Sequence, residues 1–312
     1  MRSTVANAGD RNLIVFPNCK INLGLHVVSK REDGYHSLET IFYPLPLRDA
    51  LEVVKADGPP TQKLRRARQT ADNRESAIVD RQSTEQSGPV GLHLSGLIVQ
   101  GLTADNLCVK AYNLLKKDFP QLGDIELYLH KAIPMGAGLG GGSADGAFTL
   151  SALNEKFQLN LSSEKLLDYS LQLGSDCPFF IINKPCYATG RGELLQSIPL
   201  DLSTYSFLVV HPGVHINTGW AFSQLSPAPS PQPLPEIIQQ PVASWRNNLN
   251  NDFEAPVCKH HPALQAIKDA LYDAGALYAS MTGSGSCFYG IFPKNQLPAL
   301  QWPAQYAVFE VK

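Results

Sequence analysis

Residues 134–147 read Pro-Met-Gly-Ala-Gly-Leu-Gly-Gly-Gly-Ser-Ala-Asp-Gly-Ala, with five glycines in the seven positions 136–142. Stripping side chains from the backbone lets it approach whatever it faces closely. The stretch Ile125-Glu-Leu-Tyr-Leu-His130 just before it alternates as a half-buried strand does. A helix-forming stretch over residues 143–154 follows. A strand, a bare loop and a helix in that order expose backbone N–H groups at a helix N-terminus, which is a site for an anion and above all for a phosphate. Ser143 would then face the phosphates or a magnesium ion bound to them.

Two familiar phosphate loops have to be weighed here. Gly136, Gly138 and Gly141 satisfy the dinucleotide pattern G-x-G-x-x-G. That reading fails on what comes next, because a second helix follows the first and no βαβ unit forms. The Walker A pattern fails because no Lys-Ser or Lys-Thr closes the loop. A plain flexible linker does not join a clean strand to a helix.

The 312 residues allow one large domain or two ordinary ones, and a hydrophobic content of 44% supports a sizeable core. A net charge of −2 argues against generic binding to nucleic acid or to acidic membranes. No apolar run approaches a membrane span, and residues 1–11 lack the apolar region of a signal peptide. The six cysteines are scattered without a C-x-x-C pair, which fits buried thiols in a reducing, cytoplasmic setting.

Along the chain, residues 13–16 and 21–29 read as strands and 41–54 as further extended chain. Residues 56–89 are polar, with almost no large apolar side chains, and read as a flexible insertion carrying the basic cluster Lys63-Leu-Arg-Arg-Ala-Arg68. A strand is expected near 91–97 and a helix over 106–117 with Asp105 as its N-cap. Ser162 or Ser163 caps a helix that ends before Gly174. Residues 177–182 and 186–189 read as a hairpin turning at Asn183-Lys-Pro185. A buried strand follows at 207–211. Residues 226–241 hold six prolines and read as a polyproline-like surface loop. A helix over 262–273 and closing strands complete an α+β arrangement.

Two further places carry chemistry. Leu173-Gly-Ser-Asp-Cys-Pro-Phe179 puts Asp176 in an otherwise apolar stretch just past a helix end. A carboxylate there needs a partner or a task, although capping a turn before Pro178 would also account for it. Pro17-Asn-Cys-Lys-Ile-Asn-Leu23 puts Lys20 and Asn22 on one face of an apolar strand. A Lys20–Asp176 pair would satisfy both charges. Phosphoryl transfer to an alcohol requires such groups: a carboxylate at the attacking hydroxyl and cations against the phosphate charge.

The Lys20 strand, the 134–147 loop and Met281-Thr-Gly-Ser-Gly-Ser-Cys287 resemble the three signatures of the GHMP kinase superfamily. Lys20-Ile-Asn-Leu23, Arg31-Glu-Asp-Gly-Tyr-His-Ser-Leu-Glu-Thr-Ile-Phe42, Leu173-Gly-Ser-Asp-Cys-Pro178 and His211-Pro-Gly-Val214 resemble, more narrowly, the branch that phosphorylates a cytidine-diphosphate-linked methylerythritol. The resemblance runs from about residue 16 onward, leaves out the 56–89 stretch and weakens through the proline loop.

The resemblance implies a two-domain GHMP kinase fold, with an N-terminal domain over 1–196, a C-terminal domain over 197–312 and the active site in the cleft between them. It implies ATP and Mg2+ as cofactors and the cytidyl compound as the small-molecule partner. It assigns Asp176 as general base and Lys20 as the cation that keeps it ionised and offsets developing charge. It places Asn22 at the substrate polyol, Tyr35 and Phe222 on the two faces of the cytosine, and His36 on its edge, with Phe42 and Thr218 also in that pocket. Asn106 and Lys131 fall near the adenine and ribose. Pro134, Gly136, Gly138, Leu139, Gly140, Gly141, Gly142 and Ser143 form the nucleotide loop, which the 283–286 turn would support.

From the residues alone, Tyr35-His36 could equally be the turn of a hairpin after Asp33-Gly34. Two departures stand out. Ala144 replaces a second serine found in many members. Gly146 replaces a common alanine, at about 1 kcal/mol of helix stability. No carboxylate stands out as a magnesium ligand. Another GHMP small-molecule kinase such as a homoserine kinase, a nucleotide-binding regulatory module and, more distantly, a dinucleotide oxidoreductase are the competing readings.

Overall fold

The computed structural model describes residues 13–56, 83–99 and 101–312. Strands β1 (Leu13–Val15), β2 (Asn18–Lys30), β3 (His36–Arg48), β4 (Ala50–Lys55), β5 (Ser83–Ser87) and β6 (Val90–Gly96) open the chain. Helix α1 (Leu107–Asp118), β7 (Ile125–Lys131), α2 (Gly141–Lys156), α3 (Ser163–Leu173) and α4 (Cys177–Ile182) follow. Then come β8 (Cys186–Thr189), β9 (Leu194–Ser197), β10 (Tyr205–His211), α5 (Thr218–Ser223), α6 (Leu234–Ile237), α7 (Glu254–His260) and α8 (Pro262–Asp273). Strands β11 (Tyr278–Met281), β12 (Phe288–Pro293) and β13 (Ala307–Val311) close it.

The chain packs as two interleaved units. Among the described residues, the first comprises 13–17, 48–56, 83–99, 101–133 and 142–177, and the second comprises 18–47, 134–141 and 178–312. The glycine loop therefore straddles the point where the chain leaves the second unit for the first.

The first unit is built on a five-stranded sheet in the order β1-β4-β7-β6-β5. Its parallel pair, β6 with β7, is joined through α1 as a crossover. Leu51, Val53, Leu92, Ile125, Leu127 and Leu129 point from the sheet into one core with Val109, Tyr112 and Leu115 of α1 and Leu150 and Leu153 of α2. Strand β7 alternates buried and more open residues along its length, as its sequence pattern requires, and its last buried position is Lys131.

The second unit contains the sheets β11-β12-β10-β13 and β2-β3-β8-β9. Its core joins Leu25 and Val27 of β2, Leu208 and Val210 of β10, Leu264, Ile267 and Leu271 of α8, and Phe288 and Phe292 of β12.

Several expectations are corrected. Residues 177–182 are helix α4, not the first arm of a hairpin. Pro178 is the second residue of that helix, where a missing N–H costs nothing, and Asn183 ends it with a left-handed φ of 50°. Strand β8 pairs instead with β9 and β3. The N-cap of α1 is Asn106, whose side chain accepts from the Cys108 N–H at 2.9 Å, while Asp105 belongs to the short 3-10 turn before it.

Ser83–Ser87, read as part of a flexible insertion, is a strand paired with β6. Residues 57–82 of that stretch, including the basic cluster at 63–68, lie outside the described residues, as does the polar 1–11 segment. The proline-rich loop contains α6, whose Leu234 and Ile237 are buried. The helix expected at 262–273 and the Ser162 cap of α3 are observed as read. Among the described residues no helix is long and apolar enough to cross a membrane.

Candidate active site

In the second unit the glycine loop, β2 and the turn after β11 interlock. The Lys20 N–H donates to the Leu139 carbonyl at 2.9 Å, and the Cys287 N–H donates to the Ala137 carbonyl at 3.2 Å. The Thr282 hydroxyl lies 3.0 Å from the Gly138 carbonyl. Gly138 takes a left-handed φ of 81°, and a Cβ there would sit 2.0 Å from the Thr282 carbonyl oxygen. Only glycine satisfies both conditions. Thr282 and Cys287, on either side of the 283–286 turn, thus bind the loop, as the resemblance implied.

Asn22 is the junction of these segments. Its Oδ1 accepts from Lys20 Nζ at 2.7 Å, from the Gly283 N–H at 2.9 Å and from the Thr282 hydroxyl at 3.1 Å. Its Nδ2 donates to the Thr40 hydroxyl at 2.9 Å. Asn22 is buried with its carboxamide committed to this network, so the structure places it as an organiser of Lys20 and the turn. Lys20 Nζ also lies 4.9 Å from the centroid of the buried Phe42 ring, which packs on Phe179. A buried ammonium held by an amide oxygen and an aromatic face keeps a directed positive charge.

The residues expected around the cytosine lie in the same unit. His36 stacks on Phe222, centroids 4.7 Å apart at 13° between planes, and Phe222 meets Phe253 edge-on. Tyr35 is exposed, with the Arg191 guanidinium over its ring. Phe222 therefore stacks on His36 here, and Tyr35 carries a cation on one face. The Thr218 hydroxyl, in the first turn of α5, lies 3.2 Å from that of Ser284.

The remaining candidates are divided between the two units. Pro134, Gly136 and Gly140 continue the loop in the second unit; Gly141 opens α2, and Gly142 and Ser143 bring its first turn into the first unit. Ser143 is half-buried in the first turn of α2. Ala144 is fully buried, so the departure from serine there sits in packed core. Asp176 lies half-buried just before α4. Asn106 caps α1.

Lys131, expected near the adenine and ribose, closes β7. Its side chain is completely buried and forms ion pairs with Asp49 and, at 2.6 Å, Asp145. Asp49 Oδ1 in turn accepts from the N–H groups of Ala132 and Ile133 at 2.6 and 2.8 Å. An ammonium so enclosed has no surface to offer a nucleotide. Burial works against the Lys131 charge, but Asp145 and Asp49 outweigh it and hold the ammonium above its usual range. Burial pushes the Asp145 carboxyl up to about 8 despite the opposing pull of Lys131, and its Oδ1 is buried without a hydrogen-bond partner.

This triad ties both ends of the glycine loop, residues 132–133 before it and α2 after it, to β7. Asp49 and Asp145 were not singled out from the sequence. The signal was the alternation in β7, which puts Lys131 in step with the buried Ile125, Leu127 and Leu129 and so demands buried counter-charges.

Comparison with known proteins bears on the same segments. The family model for the GHMP kinases N terminal domain matches residues 106–184, and that for GHMP kinases C terminal matches residues 234–301. A 4-diphosphocytidyl-2-C-methyl-D-erythritol kinase of Bacteroides fragilis is 44% identical over 94% of this chain and 97% of its own. One of Bacteroides thetaiotaomicron is 45% identical over 96% and 99%. Among solved structures, a 4-(cytidine 5'-diphospho)-2C-methyl-D-erythritol kinase superposes with a TM-score of 0.70 at 28% identity, covering 89% of this chain and 90% of the other. The mevalonate kinase of Methanococcus jannaschii, at 13% identity, a TM-score of 0.64 and coverage of 96% and 98%, shares the fold.

Proposed function

The chain belongs to the family of 4-diphosphocytidyl-2-C-methyl-D-erythritol kinases, within the GHMP kinases, and from that membership we propose how its residues move the γ-phosphate of ATP to the 2-hydroxyl of that cytidyl substrate. It is an ATP-dependent small-molecule kinase of the non-mevalonate route to isoprenoid precursors.

The observation that carries the residue-level reading is the Asn22 junction. One buried carboxamide accepts from the Lys20 ammonium and the Gly283 N–H, and the Thr282 hydroxyl lies between the carboxamide oxygen and the Gly138 carbonyl of the glycine loop. A site organised in this way is suited to phosphate charge before any substrate arrives. In the proposed reaction the Asp176 carboxylate accepts the proton of the attacking hydroxyl, Lys20 offsets the charge that develops, and the hydroxyl oxygen bonds to the γ-phosphorus as ADP leaves. The pairing of Lys20 with Asp176 expected from the sequence is part of this proposal.

Residues 134–143 cradle the phosphates, with Asn106 toward the adenine and ribose; Lys131 contributes there through its backbone alone. Asn22, Tyr35, His36, Phe42, Thr218 and Phe222 serve the cytidyl substrate, Asn22 by orienting its neighbours. Mg2+ is the expected companion of the nucleotide. Among the described residues no group of three or more His, Cys, Asp or Glu side chains is placed to hold a metal ion. Phosphate oxygens, water and the Ser143 hydroxyl would hold the ion. The division at residues 196 and 197 remains our reading of the domain boundary. A cytoplasmic setting is supported by six free, buried cysteines.

Asp176→Asn tests the proposal. Its turnover falls by about a hundredfold or more while ATP affinity stays near that of the wild type. Lys20→Met lowers turnover as well, and the double variant loses less than the two single losses multiplied together. Turnover near the wild-type rate in Asp176→Asn would remove this carboxylate from the mechanism.

A further inference from the structure

The roles assigned above leave out Arg191, which sits in the turn between β8 and β9 against Tyr35. Tyr35 is 56% exposed as a residue, yet the guanidinium carbon of Arg191 lies 4.9 Å from its ring centroid. An exposed tyrosine on a hairpin turn pays side-chain entropy when it is ordered against a ligand. A cation already lying on one face reduces that cost.

The placement of Arg191 is built into the fold. The Gly190 carbonyl accepts from the Leu38 N–H at 2.7 Å, tying the turn to β3 two residues beyond His36. The Glu193 carboxylate accepts from the Arg191 backbone N–H and lies 3.5 Å from Arg191 Nε. A Cβ at residue 190 would come within 2.9 Å of Glu193 Oε2, so glycine there lets Glu193 close on the arginine. On the Tyr35 side, Asp33 accepts from the Tyr35 N–H at 3.1 Å and from Arg31 Nε at 3.1 Å. Backbone and ring of Tyr35 are thus held by two separate acid–arginine pairs.

We propose that Arg191 is a specificity-determining positioning residue: its guanidinium backs the Tyr35 ring so that the opposite face is held ready for the pyrimidine of the substrate. This rests on the reading of Tyr35 as a residue that stacks on the cytosine. Arginine suits the task because its planar, weakly hydrated cation lies flat on an aromatic ring, as a lysine ammonium does not.

The test is calorimetric binding of CDP to the full chain with a non-hydrolysable ATP analogue saturating the nucleotide site, alongside steady-state kinetics. Arg191→Met weakens CDP binding and raises KM for the cytidyl substrate by about two- to fivefold, the range for one exposed cation–π contact. The KM for ATP and kcat stay unchanged, which also shows that the variant is folded. In a Tyr35→Leu background the same substitution adds no further loss, because the ring it supports is gone. Wild-type affinity for CDP in Arg191→Met would overturn the inference alone. So would an equal loss in the Tyr35→Leu background, which would mean that Arg191 acts on the ligand directly. Absence of CDP binding by the wild-type chain would instead overturn the reading of Tyr35 on which the inference stands.

Discussion

Two carboxylates share one lysine inside the first unit, and that imbalance has a measurable consequence. With Asp145 pushed up to about 8 by burial, against an ordinary value of about 4, the folded protein holds a proton that the unfolded chain releases. A raised carboxyl pKa adds stability below the unfolded value and loses it as pH rises through the folded one. The wild type is therefore expected to lose stability relative to Asp145→Asn between about pH 5 and pH 8, by at least about 1 kcal/mol, because asparagine cannot titrate. Urea midpoints of the two proteins across that range measure the difference, and parallel profiles would contradict the assignment. The same position shows what sequence could and could not reveal. Alternation in β7 marked residue 131 as inward-facing, but Asp49 and Asp145 are 82 and 14 residues away from it, and no local pattern names such partners.

The helix that leaves the glycine loop contains a second residue whose reason is visible only in the packed protein. Gly146 looks like a defect by helix propensity. A Cβ there would lie 2.8 Å from the Leu107 Cβ, so the glycine is what lets α2 pack against the start of α1. Gly146→Ala gains about 1 kcal/mol of helix propensity and meets an overpacking cost of about 1–3 kcal/mol. Net destabilisation is expected in chemical unfolding; a more stable variant would show that Leu107 moves aside freely.

Elements with strong periodicity were legible: β7, α8 and the capped α3 fall where their patterns put them. Residues 177–182 were not, because six apolar residues read equally as strand or helix, and Pro178 in the first turn settles the matter only once the helix is seen. Ser83–Ser87 was missed for the opposite reason. Its polar residues carry no strand signal, and backbone pairing with β6 makes the strand.

The architecture as a whole was read by resemblance rather than from composition. Three glycine-rich or lysine-bearing segments, far apart in sequence, resembled signatures of one superfamily, and the α+β, two-domain fold follows it. What the linear reading did not convey is the interleaving. The second packing unit takes in residues 18–47 and 134–141 as well as 178–312, so the Lys20 strand and most of the glycine loop pack with the C-terminal half of the chain. The Asn22 junction explains why: Asn22 accepts from Lys20 and from the Gly283 N–H, and the neighbouring Thr282 hydroxyl lies at the Gly138 carbonyl of the loop.

The measurement that tests the central claim most directly is ADP formation by the purified protein with 4-diphosphocytidyl-2-C-methyl-D-erythritol, homoserine or mevalonate as acceptor. Turnover with the cytidyl compound alone, with the new phosphate on its 2-hydroxyl, is the expected result. Turnover with homoserine or mevalonate in its place would keep the kinase and discard the substrate.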